Sequence, residues 1–306
     1  MRRTIGTVGL IFVLAAPATA QLAENHMVQV VAHTQGAGSP PTFWRSDVVV
    51  FNPNAATVSV GFAFFPEGTA NTPITSFPAG RFRILEAGET ILIEDIVRTM
   101  FALTDNVKGI LIVNSERRFF PLNPSPALVL VSSRTYTSND AGGTFGTYGQ
   151  TVVTSMDFLS ASPEPSYATG ARQDGQYRTN MGIGSGSTEQ IRVHYRILDQ
   201  EAAVLLEGTK TIQPLSMKQW SFTSLGIEAH DGVMTVEFQL DPEDVSSNPC
   251  ASPNPNAFYA YISKVDGNPM GTGDGEHIHA VPREFPPPPS GCPTPRPSAL
   301  GGFLAR

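Results

Sequence analysis

The densest gathering of reactive side chains in this chain is Asp274-Gly275-Glu276-His277-Ile278-His279. If the run is a strand, His277 and His279 point the same way, and two such imidazoles could hold one metal ion with a third nitrogen from His194 or His230. The helical His-Glu-x-x-His arrangement is missing, and no carboxylate is spaced as an evident general base. The expectation is therefore a solvated strand end that carries two histidines, with no metal and no cofactor assigned. The second gathering is Trp44-Arg45-Ser46-Asp47. On a strand, Arg45 and Asp47 share one face while Trp44 and Ser46 share the other. Together with Arg134 they form a candidate ligand or assembly surface, the indole stacking on a sugar and the guanidinium meeting a carboxylate. The competing reading, in which these charges knit neighbouring strands, is preferred because an arginine, Arg178, recurs at the same place in a second copy of the motif.

Other chemistries find little support. The glycine clusters at 142–146, 182–186 and 271–275 are followed by neither Lys-Ser/Thr nor a helix, so they read as turns and bulges and not as phosphate cradles. The Gly-x-Ser-x-Gly of a hydrolase elbow is absent. Cys250 and Cys292, the only two cysteines, are expected to form a structural disulfide, since an even number in an exported chain is free to pair. No catalytic residue is assigned, and the chain is not expected to be an enzyme.

The segments that must position these residues begin with a leader. Arg2 and Arg3, an apolar run from Val8 to Ala16 and the small residues Ala18-Thr19-Ala20 predict a signal peptide over 1–20. No later segment has the roughly 20 apolar residues of a membrane helix. Cleavage would leave 18 basic against 27 acidic residues, a net charge of −9, and an acidic chain without a basic run argues against a nucleic-acid partner or an anionic membrane surface, while the lack of a long apolar segment argues against membrane insertion. The predicted location is the cell exterior, the cell surface or the periplasm.

The stretch Trp44-Arg45-Ser46-Asp47 returns as Tyr177-Arg178-Thr179-Asn180, 133 positions later. The alternating set Val58, Val60, Phe62 and Phe64 maps at the same offset onto Ile191, Val193, Tyr195 and Ile197, and a slip of one residue would have exchanged the faces. Later stretches match at offsets of 128, 123 and 130, the last pairing Leu128–Arg134 with Phe258–Lys264. Apolar residues at 96, 97, 100, 101 and 103 predict one short helix. The predicted organisation is thus all-β: two tandem immunoglobulin-like β-sandwich modules from an internal duplication, at 21–159 and 167–285, with one helix in the first. A Pro-rich linker (160–166) joins them and a Pro/Gly-rich tail (286–306) follows.

These features, with the Ser133-Arg134-Thr135-Tyr136 strand, resemble exported bacterial proteins of unassigned function built from duplicated immunoglobulin-like sandwiches. The resemblance implies a fold and no chemistry. It weakens in the second module, where Trp44, Asp47 and Arg134 are matched by Tyr177, Asn180 and Lys264. The functional expectation is a non-enzymatic structural or surface assembly protein. Its β-prone N-terminal segment, Asn25 to His33, would add to a sheet edge of another copy, so partners would be copies of itself or other surface proteins. The alternative is a carbohydrate- or peptide-binding sandwich, whose partners would be glycans or peptides, using aromatics such as Trp44, Tyr136, Tyr259 and Trp220.

Overall fold

A computed structural model of the chain describes residues 22–23, 25–36, 42–73, 80–117, 125–138, 146–152, 164–245, 256–266 and 275–282. The predicted leader and tail, most of the linker, and both Cys250 and Cys292 lie outside the described residues. Within them the chain is an all-β sandwich fold with two short helices.

Sixteen strands of four or more residues carry the architecture among the described residues, eight in each half. In the first half these are β1 (Asn25–Gln35), β2 (Phe43–Phe51), β3 (Val58–Pro66), β4 (Phe82–Leu85), β5 (Thr90–Ile93), β6 (Val107–Arg117), β7 (Val129–Ser138) and β8 (Gly146–Val152), with helix α1 (Ile96–Phe101) after β5. The second half has β9 (Ser166–Gln173), β10 (Tyr177–Ser185), β11 (Ile191–Leu198), β12 (Val204–Ile212), β13 (Met217–Ser221), β14 (His230–Leu240), β15 (Phe258–Asp266) and β16 (Gly275–His279). Its helix α2 (Phe222–Leu225) again follows the fifth strand.

Antiparallel pairing in the first half gives two layers, ordered β5-β2-β7-β8 and β4-β3-β6-β1. A short β1–β2 pairing at His33↔Arg45 joins them into one sheet. The second half repeats both orders strand for strand, as β13-β10-β15-β16 and β12-β11-β14-β9, in two separate sheets. Ser166, placed in the linker by its polarity, is instead the first residue of β9 and pairs with Phe238.

The alternating residues of β11 behave as their pattern predicts. Ile191, Val193, Tyr195 and Ile197 are buried, whereas Arg192 and Arg196 point outward into ion pairs with Asp244 at 3.2 Å and Glu237 at 3.1 Å. The matching strand β3 is buried along nearly its whole length, because its sheet is covered on both sides. Phe62 and Phe64 face the interior of the first sandwich. Met27, Ala63, Phe65 and Ile112 lie on the other face, in a core cluster shared with Leu215, Met217, Tyr259 and Tyr261 of the second half. The layer β13-β10-β15-β16 therefore presents its outer surface to the first half, and the two sandwiches pack as one body.

That seam corrects one sequence offset. On β15 the side chains of Phe258, Ala260 and Ile262 enter the second core, while Tyr259 and Tyr261 face the first half. Asp47 lies opposite Arg134, and Asn180 lies opposite Ser263, so the counterpart of Arg134 is Ser263 and not Lys264. A strand that is apolar on both faces loses the period-two signal that would have fixed the register. The glycine pair Gly182 and Gly184 is also reassigned from turn to mid-strand. Both lie directly opposite Tyr261 and Tyr259, whose rings occupy the space that a Cβ would need.

Candidate functional site

Strand alternation separates the residues of the Trp44 motif. Arg45, Asp47 and Arg134 lie on the outer surface of the first sandwich, with Asp47 beside the start of α1. Asp47 Oδ1 accepts the backbone N–H of Asp95 at 2.9 Å and the hydroxyl of Tyr136 at 3.3 Å. Burial, followed by the nearby Asp47 carboxylate, pushes the Tyr136 phenol up. The Asp95 carboxylate in turn accepts from His33 Nδ1 at 2.8 Å. Asp95 has a left-handed backbone, φ 44°, and these contacts hold it there as the residue that opens α1. The Arg45 guanidinium lies 5.4 Å from the Phe43 ring, and that of Arg134 lies 5.4 Å from the Tyr136 ring. This group anchors a helix. The second half makes the same link without charge, through Gln173 Nε2 donating to Thr223 Oγ1 at 3.2 Å.

Trp44 faces the opposite way and lines a cavity of about 530 Å³ between the two halves. Strand β1 supplies Val30, Ala32 and Thr34, strand β8 supplies Gln150, and the second half closes the cavity with Asn180, Gln219 and Ser263. Asn180 and Ser263 are the positional counterparts of Asp47 and Arg134. They occupy a face that is solvent-side in the first half and seam-side in the second. Loss of charge there is what burial demands, since an ionised group withdrawn from water without a partner is strongly unfavourable.

Beside the cavity the seam is latched at Gln29. A β-bulge between Val28 and Val31 interrupts the β1–β6 register and turns Gln29 out of the first sandwich, a usual effect of a bulge. Gln29 is buried, and its Oε1 accepts from His277 Nε2 at 3.0 Å and from His279 Nδ1 at 2.7 Å. Its backbone carbonyl accepts from the Tyr259 hydroxyl at 2.6 Å. His277 stacks on Tyr261 with centroids 4.3 Å apart. Burial, and then the neighbouring His279, holds His277 well below the usual imidazole range, and burial lowers His279 to about 4.

The two histidines do lie on one face of a strand, as the sequence predicts, but they meet an amide of the other half where a solvated strand end was expected. His194 is bound to Asp241 and Thr209 on another sheet, and His230 opens β14 opposite Gln173. Among the described residues no group of three or more His, Cys, Asp or Glu side chains is placed to hold a metal. Gln29 itself escaped the sequence reading. Its one signal is an uncharged polar residue interrupting Met27-Val28-Gln29-Val30-Val31-Ala32.

β1, the strand expected to add to another copy, pairs with β6 along most of its length, whereas β2 pairs with it only at residues 33–35.

No protein-family model matches the chain, and no curated protein does. Among solved structures it is similar to a Bacteroides uniformis beta-glucuronidase, with 10% identity over 80% of this chain and 26% of that one and a TM-score of 0.15. It is likewise similar to a glycosyl hydrolase family 2 member from Bacteroides cellulosilyticus, with 9% identity over 78% and 28% of the two chains and a TM-score of 0.16. The chain spans about a quarter of the length of these enzymes, and at this level the likeness bears on neither fold nor activity.

Proposed function

We propose that this is an exported, non-enzymatic binding protein whose two sandwiches clamp a carbohydrate or peptide ligand between them. The observation that carries the reading is the seam cavity, walled by both halves and furnished with Trp44 and several uncharged polar side chains. Its size falls within the range of roughly 300–1,000 Å³ common to ligand sites. Export is supported by the leader-like residues 1–20. Screening the secreted protein against glycan and peptide arrays tests the proposal, with Asn180→Trp as a variant that fills the cavity. Binding that this variant abolishes is the expected result; no binding on either array defeats the proposal.

A second reading, assembly with other copies, keeps one supporting observation. Among the described residues β12 is a nine-residue edge strand paired only with β11, with Val204 43% and Leu205 38% exposed. Long exposed edges of this kind are templates for strand addition. Light scattering on the wild type and on Leu205→Lys tests it, since an assembly built through this edge loses mass in the variant and a monomeric wild type rules it out.

A further inference from the structure

We propose that the seam cavity takes a short neutral oligosaccharide, with one sugar ring lying on Trp44 and its hydroxyls bonded by the carboxamides of Asn180, Gln150 and Gln219. The inference rests on reading the cavity as the binding seat and adds the class of ligand.

The composition of the wall points to this class. Of its 18 residues, five carry carboxamides and six carry hydroxyls, and none is acidic, in a chain with 27 acidic residues. Several of the amides are already oriented. Gln150 Oε1 accepts from Ser263 Oγ at 2.9 Å, and Gln219 Oε1 accepts from the Tyr261 hydroxyl at 3.1 Å. Each is thereby left with its NH₂ group as the donor for a ligand oxygen. Asn180 makes no side-chain hydrogen bond among the described residues, so it offers a donor and an acceptor side by side, the pairing that a vicinal diol completes. Trp44 supplies the apolar, polarisable surface on which the C–H face of a sugar ring packs.

Competing ligand classes meet specific obstacles. An acidic ligand needs a free cation, but Lys108 is paired with Glu67 at 3.4 Å and Arg178 is engaged within the chain. A peptide added as a strand would need the open edge of β13. That edge is taken up by the first half, because the Gln219 N–H donates to Glu67 Oε1 at 2.9 Å and the Met217 carbonyl accepts from the Gly68 N–H at 3.0 Å. A mainly apolar ligand would find only Val30, Ala32 and Val265 beside the indole.

Calorimetry on the full mature chain decides the matter, using neutral tetrasaccharides of the gluco, manno and galacto series, a tetragalacturonate and an uncharged hexapeptide as probes. The expected result is binding of at least one neutral tetrasaccharide, weakened tenfold or more by Trp44→Ala and by Asn180→Ala. Asn180→Ala guards against loss of fold in the first variant, and its melting temperature should match the wild type. Tetragalacturonate or peptide binding that the same substitutions abolish, without neutral sugar binding, overturns the ligand class and leaves the seat intact. Failure of every probe, or neutral sugar binding that neither substitution changes, overturns both the class and the seat.

Discussion

At the level of single residues, the seam depends on what is absent from β10. Gly182 and Gly184 leave room for the rings of Tyr261 and Tyr259, which reach over them to Gln219 and Gln29. Forcing a methyl into a packed site costs about 1–3 kcal/mol, and more where the obstacle is a rigid ring. Gly184→Ala is therefore expected to destabilise the protein by at least about 2 kcal/mol in urea unfolding. Gly175→Ala, where nothing lies within 4 Å of the new Cβ, serves as a control close to neutral. Equal stability of the two variants would show that the tyrosines do not sit as described. Asp47 makes a comparable case on the outer surface. Asp47→Ala removes the acceptor of the Asp95 N–H at the start of α1, and a part-buried donor left without a partner costs about 1–3 kcal/mol. Urea unfolding should show a loss in that range, and none at all would mean that Asp47 is free for another role.

Among elements, β16 joins the halves through chemistry that depends on pH. Around the ring pair of His277 and His279 lie Gln29 from β1 and Tyr259 and Tyr261 from β15, whereas the Lys264–Glu276 ion pair at 2.9 Å alternates to the other face of β15 and β16. Glu67, paired with Lys108, acts on both tyrosines. Burial holds both imidazoles neutral. Their folded pKa values lie below the unfolded value, so the stabilisation is complete above about pH 6.5 and declines as the pH falls toward about 4 for His279. With allowance for partial exposure, His279 alone accounts for on the order of 2 kcal/mol. Unfolding free energies should fall over that interval, and the double variant His277→Gln/His279→Gln should have the shallower slope. Identical slopes would remove the latch. The same elements show what was legible in the sequence. Strands exposed on one face, such as β11, declare themselves by alternation, and α1 by its spacing. β15 and β3 are covered on both faces, so neither the register of the former nor the burial of the latter could be read from the pattern. The latch partner Gln29 depends on a bulge in β1, a feature of backbone register that residue types do not encode locally. The cavity joins residues as far apart as Trp44 and Ser263, so it exists only after the two sandwiches meet.

For the whole molecule, repetition of strand order has not produced two interchangeable units. The layer that bears Asp47 and Arg134 faces outward in the first half, whereas its counterpart in the second half bears Asn180 and Ser263 and is turned onto its neighbour. A protein made of independent beads would have kept both outer faces charged. Here the second half carries the uncharged Asn180 and Ser263 at the matching positions where it meets the first, and beside them Tyr259 and Tyr261, both fully buried. Separating the halves would expose those rings together with Leu215 and Met217, an apolar patch of the kind that makes soluble domains associate. Residues 164–306 expressed alone should therefore bind a hydrophobic dye, and self-associate in light scattering, where the full mature chain does neither. Adding residues 21–152 in trans should suppress both effects if the seam is the dominant contact. A second half that stays monomeric and dye-silent by itself would mean that the sandwiches are held mainly by their linker. The cavity between them would then be a gap and not a site, and the ligand proposals would fall with the seam.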